Sequence, residues 1–344
     1  SLNIRRRLCR ERRHWRTTRI QECINTSSSW KSLRALRELQ SIKKPIVQQP
    51  AADDFAAELE RLFAGANQPP LAAGVPDIAF TMHELRSAIQ KLKKNKAQDE
   101  AGVVAELVTN APAELLDIML QHYNDVFLGG VVPLEWRKTL FVMLAKTGTS
   151  RTTSDFRPIA CARLLYKVYA YMLLQRVEDI LEDAQPEEQA GFRSGRRLEE
   201  HLLSANLLLE KYYRYSIPLW LVSLDLSKAF DRVAWAELWA CLLEQGVSPH
   251  LVRSIQNLYL GQFGVVKTDT GISRMFSILS GVRQGCVLSP RLFAAVLQKA
   301  MASWRSKVSH LGLDLLDGGP PLLDLRLADD ILLFGKSDSD VSQL

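Results

Sequence analysis

The sequence predicts an α+β protein, and three features of its pattern support that class. Amphipathic helical patterns come first along the chain, and short apolar runs of strand length then alternate with further helices. Hydrophobic residues make up 47% and charged residues 24% of the 344 residues, an ordinary globular composition that excludes a disordered or fibrous chain. No apolar run reaches the roughly 18 residues that a membrane helix needs, so we expect no membrane partner.

Positive charge is concentrated at the N-terminal end of the chain. The formal net charge is +6, but residues 1–44 hold thirteen Lys and Arg against three Glu, a net +10. Such a basic arm attracts polyanions, and it is equally typical of a solvated helical linker. Its start has no apolar core, which excludes a secretory signal peptide, and the five scattered cysteines form no zinc or disulfide pattern. Because the chain opens on Ser1 rather than Met, we interpret it as a fragment.

Helices dominate the predicted elements of the first two thirds of the chain. Five prolines mark 45–80 as a Pro/Ala-rich connector with one short helix at 53–64. Beyond it, the apolar spacing predicts helices over 81–92, 112–128, 159–183 and 198–215, with a strand at 140–144 and a polar loop at 146–156.

Strands become frequent in the last third of the chain. The pattern predicts a strand at 217–226, two helices within 234–261, and a hairpin formed by 263–268 and 276–279. A helix is predicted to begin at Ser289, with Pro290 in its first turn. The last predicted elements are two tightly joined strands, 322–327 and 331–334.

Two adjacent carboxylates, Asp329 and Asp330, interrupt the apolar strand pattern at 325–334. Burying an ionised carboxylate without a partner costs several kcal/mol or shifts its pKa until the group is neutral. A tight turn whose acids bind a divalent cation resolves this conflict, and an exposed hairpin tip with Asp as a turn former is the alternative. The same Ala-Asp-Asp triplet at 52–54 needs only a helix-capping explanation.

A second apolar run, 219–226, ends on Asp225 and leads into a turn. Three carboxylates at the ends of neighbouring strands suit a two-metal phosphoryl-transfer site. Mg²⁺ prefers a few carboxylates together with phosphate oxygens, which matches three acids without a His/Cys cage. Asp231, six residues further on, has a simpler interpretation as a residue near the next helix start.

A third stretch, 281–290, is a glycine-containing loop that leads into a helix. Its glycines allow close backbone approach to a ligand, and Arg283 and Gln284 offer hydrogen-bond donors there. An ordinary loop with a helix cap explains the same residues.

Taken together and in this order, these stretches resemble the reverse transcriptases of LINE-type (non-LTR) retrotransposons. The similar segments are WRKTLFVMLAKTG (136–148), FRPIACARLLYKVYAYMLLQRV (156–177), QAGFRSGRR (189–197), LDLSKAFDRV (224–233), GVRQGCVLSPRLF (281–293) and LADD (327–330). The resemblance covers roughly three quarters of the chain, from about 80 to 334. It implies a right-hand polymerase fold, with helical fingers and a palm that holds a small antiparallel sheet.

The resemblance also implies a division of the chain into four parts. After the basic arm (1–44) and the connector (45–80), we expect an N-terminal fingers extension at 81–126 and the reverse transcriptase domain at 127–344. Since the chain ends ten residues after Phe334, this domain is expected to be C-terminally truncated, with the thumb absent.

The function implied is RNA-directed DNA polymerase activity, which adds dNTPs to a DNA primer on an RNA template. By resemblance, Asp225, Asp329 and Asp330 are the catalytic acids and hold two Mg²⁺ ions, with Mn²⁺ as an alternative ion and the Leu226 carbonyl as a further ligand. Phe230 is expected to exclude a ribose 2′-OH, unless it is simple core. The other implied contacts are Gln284 and Gly285 in the nucleotide pocket, Lys146 and Arg157 on the triphosphate, and Arg193, Arg196 and Arg197 on nucleic-acid phosphates.

Two departures from the family pattern bear on activity. Leu327 stands where the family usually has Tyr or Phe, so aromatic packing near the primer end is lost. Residues 96–102 read Lys-Ala-Gln-Asp-Glu-Ala-Gly in place of Lys-Ala-Pro-Gly-x-Asp-Gly, which changes a turn and displaces its acid.

Three alternatives stay open. A group II intron-type reverse transcriptase is similar in class, and an RNA-dependent RNA polymerase is disfavoured by Phe230. A catalytically decayed fragment that acts only as a nucleic-acid-binding module is the alternative from a different class. Family analogy places the protein in the nucleus, and the sequence identifies no protein partner.

Overall fold

A computed structural model of the chain describes residues 49–66, 69–147, 150–269, 271–315 and 319–344. The predicted basic arm (1–44) and the first residues of the connector lie outside the described residues. The described residues fall into two compact units, of which the larger comprises Pro50–Leu144 with Arg157–Leu344, and the smaller includes Ala145–Phe156. The architecture is mixed helix and strand, which confirms the predicted α+β class.

Eleven α-helices lie in the described ranges. In chain order they are α1 (Ala52–Leu62), α2 (Met82–Gln90), α3 (Ala105–Thr109), α4 (Ala113–Phe127), α5 (Leu134–Arg137), α6 (Leu164–Asp183), α7 (Leu198–Arg214), α8 (Trp235–Glu244), α9 (Pro249–Tyr259), α10 (Ser289–Val308) and α11 (Asp338–Gln343). No helix among the described residues is long and apolar enough to cross a bilayer. The predicted long helices are confirmed, whereas α3, α5 and α11 were not predicted.

Eight strands form two sheets within the described residues. They are β1 (Lys138–Ala145), β2 (Phe156–Cys161), β3 (Trp220–Asp225), β4 (Phe263–Thr268), β5 (Gly271–Ile272), β6 (Phe276–Ser277), β7 (Asp324–Leu327) and β8 (Asp330–Gly335). One sheet has the order β2-β1-β4-β5 with β6 also on β4, and the other has the order β3-β8-β7. β1 and β4 run parallel, whereas every pair in the second sheet is antiparallel.

Helix α2 shows how local sequence sets an element of the larger unit. Thr81 and Glu84 form a reciprocal capping box, in which the Thr81 side chain accepts from the Glu84 amide and the Glu84 carboxylate from the Thr81 amide. Leu85, Ile89 and Leu92 are buried, so the predicted apolar face is confirmed. Arg176 of α6 donates to the Glu84 carboxylate and thereby fastens α2 to α6.

The prediction of a helix over 159–183 is wrong for its first five residues. Residues 156–161 form β2, and the helix begins only at Leu164. Pro158 restricts Arg157 to extended backbone and removes a donor, which an edge strand tolerates. Helix α6 then begins at Leu164, whose amide donates to the Asp99 carboxylate at 2.9 Å. Partial burial tends to raise the pKa of Asp99, but hydrogen bonds from Leu164 and from nearby backbone amides leave that pKa lowered.

The predicted hairpin at 263–268 and 276–279 is confirmed, with Phe263 opposite Ser277. The two-residue strand β5, which pairs with the other end of β4, was not predicted. The tightly joined strands at the C-terminal end are also confirmed as β7 and β8.

A buried ion pair stabilises β7. Asp324 and Arg326 are both fully shielded from solvent, with the Asp324 Oδ2 and Arg326 Nε atoms 2.8 Å apart but not aligned for a hydrogen bond. Arg305 of α10 donates from Nε to Asp324 at 2.8 Å and from Nη1 to Glu188 at 2.7 Å. These contacts join α10, β7 and the segment before α7 through charge rather than apolar packing.

We predict that Asp324→Ala lowers the free energy of unfolding by roughly 3–5 kcal/mol, because it leaves the buried Arg326 without its carboxylate. Denaturant unfolding monitored by circular dichroism measures the change. Asp314→Ala is the control, since Asp314 pairs with Lys336 at 2.6 Å on the exposed surface. We expect that control to cost less than about 1 kcal/mol, and equal losses in the two variants would contradict the prediction.

Candidate active site

Strands β3 and β8 bring two of the predicted catalytic acids together. Asp225, the last residue of β3, lies directly opposite Asp330, the first residue of β8. Directly opposite residues of antiparallel strands share one face of the sheet, with Cβ atoms about 4.5–5.5 Å apart. Asp329 precedes Asp330 in the turn from β7, so all three acids lie at one end of this sheet.

The turn that carries Asp329 holds its backbone in an unusual conformation. Leu327 and Asp330 are paired across the hairpin, which leaves Ala328 and Asp329 to form the connection. Ala328 has φ of 60°, in the left-handed region. This conformation costs a residue with a Cβ roughly 1–2 kcal/mol, so contacts around the turn must hold it in place.

The three acids have no side-chain partner within the described ranges. Asp225 and Asp330 are exposed and Asp329 is half-buried, and within the described ranges none of these carboxylates accepts a hydrogen bond or forms an ion pair. No group of three or more His, Cys, Asp or Glu side chains in the described part of the chain, the three acids included, is arranged to hold a metal ion. Mg²⁺ takes only one or two carboxylates and completes its shell with water and phosphate oxygens, and its binding by these acids stays a prediction. Leu226, whose carbonyl was predicted as a ligand, directly follows Asp225.

Phe230 is held by two aromatic neighbours. Its ring stacks on Phe293 of α10 with centroids 4.5 Å apart, and its other contact is edge-on to Phe192 at 5.8 Å. Its carbonyl accepts from the Val282 amide at 2.7 Å, which ties the turn after β3 to the loop before α10. The half-buried ring is thus fixed in orientation, as both a steric gate and a core residue require.

The loop that contains Gln284 and Gly285 packs against β2. The Ala160 amide donates to the Gln284 carbonyl at 2.9 Å. Gly285 has φ of 110°, and a Cβ there would lie 2.8 Å from the Ala160 carbonyl oxygen. Glycine is therefore required for a close approach to the protein's own strand, and the predicted approach to a ligand stays a prediction.

Asp231 is a site residue that the sequence analysis missed. It is 3% exposed, and the Gln284 Nε2 atom donates to both of its carboxylate oxygens at 2.9 Å. Burial raises the pKa of Asp231 to about 6, and the Gln284 hydrogen bonds and the charge of Lys228 offset only part of this rise. Lys228 itself pairs with Glu58 of α1 at 3.1 Å. The only local signal was an acid among apolar residues in Ala-Phe-Asp-Arg-Val.

Comparison with known proteins identifies the family of this arrangement. The family described as "Reverse transcriptase (RNA-dependent DNA polymerase)" matches residues 144–344, more than half of the chain, and that range includes the three acids. The chain belongs to the reverse transcriptase family. The resemblance found in the sequence is thereby confirmed.

Relatives of this reverse transcriptase chain come from non-LTR retrotransposons. It is 27% identical over 259 residues to the "Retrovirus-related Pol polyprotein from type-2 retrotransposable element R2DM" of Drosophila melanogaster, covering 75% of this chain and 23% of that protein. It is 28% identical over 234 residues to the "RNA-directed DNA polymerase from mobile element jockey" of the same organism, covering 66% and 25%. It is 25% identical over 264 residues to the "Transposon TX1 uncharacterized 149 kDa protein" of Xenopus laevis, covering 77% and 20%. The chain thus spans about a fifth to a quarter of these relatives' lengths.

The two predicted triphosphate contacts of this reverse transcriptase chain lie in different compact units. In the smaller unit, the Lys146 Nζ atom donates to the Ser154 carbonyl at 2.9 Å. Arg157 is exposed on β2, and its guanidinium has no hydrogen-bond partner among the described residues. Their predicted role on the triphosphate stays a prediction.

Two of the three arginines predicted to bind nucleic acid are occupied within the fold. Arg193 is only 9% exposed at its side chain, pairs with Glu182 at 2.6 Å and donates to the Pro186 carbonyl. Arg196 pairs with Glu187, whereas Arg197 is exposed at the start of α7. Arg193 therefore stabilises the segment before α7, and Arg197 is the most accessible of the three to a phosphate.

We predict that Asp231 makes the reverse transcriptase chain less stable as the pH rises from about 4 to 6. Its raised pKa means that the folded state holds this proton at a pH where the unfolded state has lost it, so the stability is present at low pH and lost above about 6. Relative to Asp231→Asn, the wild-type free energy of unfolding should fall by about 3 kcal/mol between pH 4 and 7. Denaturant titrations at four pH values measure this difference.

A companion variant tests the cause of the effect. Gln284→Met removes the hydrogen bonds that oppose burial, so it should move the fall in stability to higher pH and make it larger. A difference between wild type and Asp231→Asn that stays flat from pH 4 to 7 would show that Asp231 is not perturbed in this way.

Proposed function

We propose that the chain is an RNA-directed DNA polymerase of a non-LTR retroelement, which adds dNTPs to a primer 3′-OH on an RNA template. The observation that carries this proposal is the direct opposition of Asp225 and Asp330, with Asp329 beside them, in a member of the reverse transcriptase family. Three carboxylates gathered at one sheet end repel one another unless a cation lies between them, so their placement favours a metal-binding role in catalysis.

In this proposal, Asp225, Asp329, Asp330 and the Leu226 carbonyl hold two Mg²⁺ ions, for which Mn²⁺ can substitute. Bound there, the ions would supply positive charge that favours the ionised 3′-hydroxyl and neutralises charge on the phosphates. The reaction joins the primer 3′-oxygen to the α-phosphorus of the dNTP and releases pyrophosphate. The carboxylate oxygens are hard, negatively charged ligands, which favour hard cations such as Mg²⁺.

The residues around the acids would select and orient the nucleotide. Phe230, clamped between Phe293 and Phe192, would meet a ribose 2′-OH and so favour dNTP over NTP. Gln284 would reach the nucleotide with its side-chain Oε1 atom, because Asp231 already accepts from its Nε2. Gly285 would line the same pocket, and Lys146 and Arg157 would bind the triphosphate through charge.

The proposed catalytic acids also indicate which sheet forms the palm and which forms the fingers of the polymerase. We assign the β3-β8-β7 sheet to the palm and the β2-β1-β4 sheet, with the helices of 81–126, to the fingers. Arg197 would contact the RNA template or DNA primer, whereas Arg193 and Arg196 are already paired with Glu182 and Glu187. Because copying a retroelement into a genome requires chromosomal DNA, we propose that the protein acts in the nucleus.

We predict that Asp329→Ala/Asp330→Ala abolishes incorporation of dTTP on poly(rA)/oligo(dT) with Mg²⁺. The loss should exceed about 100-fold, because even residues that only support metal ligands typically contribute roughly 10–100-fold. Radiolabelled dTTP incorporation measures the rate.

The chain provides a control in Asp54→Ala, since residues 52–54 repeat the Ala-Asp-Asp triplet at the N-terminal end of α1 and Asp54 is exposed, whereas Asp53 accepts from the Arg274 amide. This control should retain incorporation within about twofold. A wild-type chain that binds the template but incorporates nothing would contradict the polymerase proposal and favour the decayed, binding-only alternative.

We predict that Phe230→Val relaxes sugar selection. Removing ring atoms where a 2′-OH would lie should improve incorporation of rUTP relative to dTTP by on the order of 10–100-fold. Competition between the two nucleotides in the same assay measures the ratio. If Phe230 serves only as core, the variant should unfold at lower denaturant concentration while the rUTP/dTTP ratio stays unchanged.

A further inference from the structure

Gln189 contacts both sides of the Ala328 backbone, next to the acids. Its side chain is fully buried. The Ala328 amide donates to Gln189 Oε1 at 3.0 Å, and Gln189 Nε2 donates to the Ala328 carbonyl at 3.3 Å. The Gly191 amide also donates to Oε1, at 2.8 Å. The Gln189 carboxamide thus pairs with both the amide and the carbonyl of Ala328, the residue in the left-handed conformation.

The segment around Gln189 is joined to β7 by a single parallel bridge between Gln189 and Arg326. The Arg326 amide donates to the Glu188 carbonyl at 2.7 Å, and the Ala190 amide donates to the Arg326 carbonyl at 2.9 Å. These bonds hold Gln189 level with the last residues of β7. Gln189 therefore meets the turn from a fixed backbone rather than from a free loop.

Gly191 allows the segment to approach the turn closely. A Cβ at this position would lie 2.0 Å from the Ala328 amide nitrogen, closer than any real contact. On the far side, Arg193 donates to the carbonyls of Pro186 and Gln189 and pairs with Glu182. The role of Arg193 is thus to hold the segment that carries Gln189.

We propose that Gln189 is a positioning residue for the catalytic acids, acting through the Ala328 peptide. The inference rests on the proposed function, in which Asp329 and Asp330 bind the metal ions. Fixing the Ala328 peptide fixes where the chain re-enters the sheet, and hence keeps Asp330 opposite Asp225. Without the carboxamide, the turn can relax toward ordinary backbone angles, and the two carboxylates are no longer held at one separation.

The same segment also reaches the residue proposed to select the sugar. Phe192 follows Gly191 and contacts Phe230 edge-on. A change at Gln189 should therefore act on the metal-binding acids first and on sugar selection second, whereas the Gln284 loop, held by Asp231 and Ala160, should be unaffected.

The test compares two buried glutamines of one segment. Gln189→Met keeps the side-chain volume but removes the carboxamide. Gln185→Met is the matched control, because Gln185 is also buried and donates to the Leu181 carbonyl without contacting the turn. Three quantities are measured on the full chain: hydrogen exchange of the Ala328 amide in ¹⁵N-alanine-labelled protein, Mn²⁺ affinity by water proton relaxation, and the kcat and KM for dTTP on poly(rA)/oligo(dT).

We expect Gln189→Met to accelerate Ala328 exchange, to weaken Mn²⁺ binding and to lower kcat by roughly 10–100-fold, with the KM for dTTP within about twofold. Gln185→Met should leave all three quantities near wild type. Gly191→Ala should reproduce the Gln189→Met pattern by pushing the segment off the turn.

Unchanged Ala328 exchange or unchanged Mn²⁺ affinity in Gln189→Met would overturn the inference, as would equal effects in Gln185→Met. These two readouts do not require polymerase activity. A wild-type chain that incorporates no dTTP would thus contradict the proposed function, while exchange and Mn²⁺ affinity would still decide the role of Gln189.

Discussion

The pairing register of β3 with β8 is the constraint on which the candidate site depends. Six consecutive residue pairs, from Trp220 opposite Gly335 to Asp225 opposite Asp330, fix this register. A slip of one residue would turn Asp330 to the other face of the sheet, away from Asp225. The central strand β8 buries Ile331, Leu333 and Phe334, so apolar packing sets a register that the charged residues alone would oppose.

The loop that carries Gln284 is fixed by contacts with three helices, α6, α8 and α9. The Tyr166 hydroxyl and the Cys286 sulfur are 3.1 Å apart, and the Arg283 guanidinium lies over the Tyr166 ring at 4.8 Å. Arg283 also donates to the Leu258 carbonyl, and the Trp235 indole donates to the Gly281 carbonyl at 2.8 Å. Buried polar contacts of this kind specify one loop conformation, because each partner left unpaired would carry a desolvation cost.

The sequence alone predicted the parts of the site that break a local pattern. Asp225, Asp329 and Asp330 were predicted because each interrupts or ends an apolar strand pattern. Asp231 was missed because its burial and its Gln284 partner, 53 residues away, arise only in the tertiary fold. Likewise, the pairing of Arg193 with Glu182 depends on the tertiary fold and could not be predicted from the neighbouring sequence. Strand β2 was not predicted because its apolar residues run on into α6, which made the whole stretch look helical.

Helix α1 limits how far the segment predicted as a connector can vary in length. Its Glu58 pairs with Lys228, its Asp53 accepts from the Arg274 amide at 2.8 Å, and the Leu279 amide donates to the Phe63 carbonyl at the helix end. Insertions or deletions within 52–66 would therefore shift the turn that follows Asp225. Among related retroelement proteins, insertions and deletions should therefore lie on either side of this helix rather than within it. For the same reason, a shortened version of the protein designed for expression should begin before Ala52 rather than at Thr81.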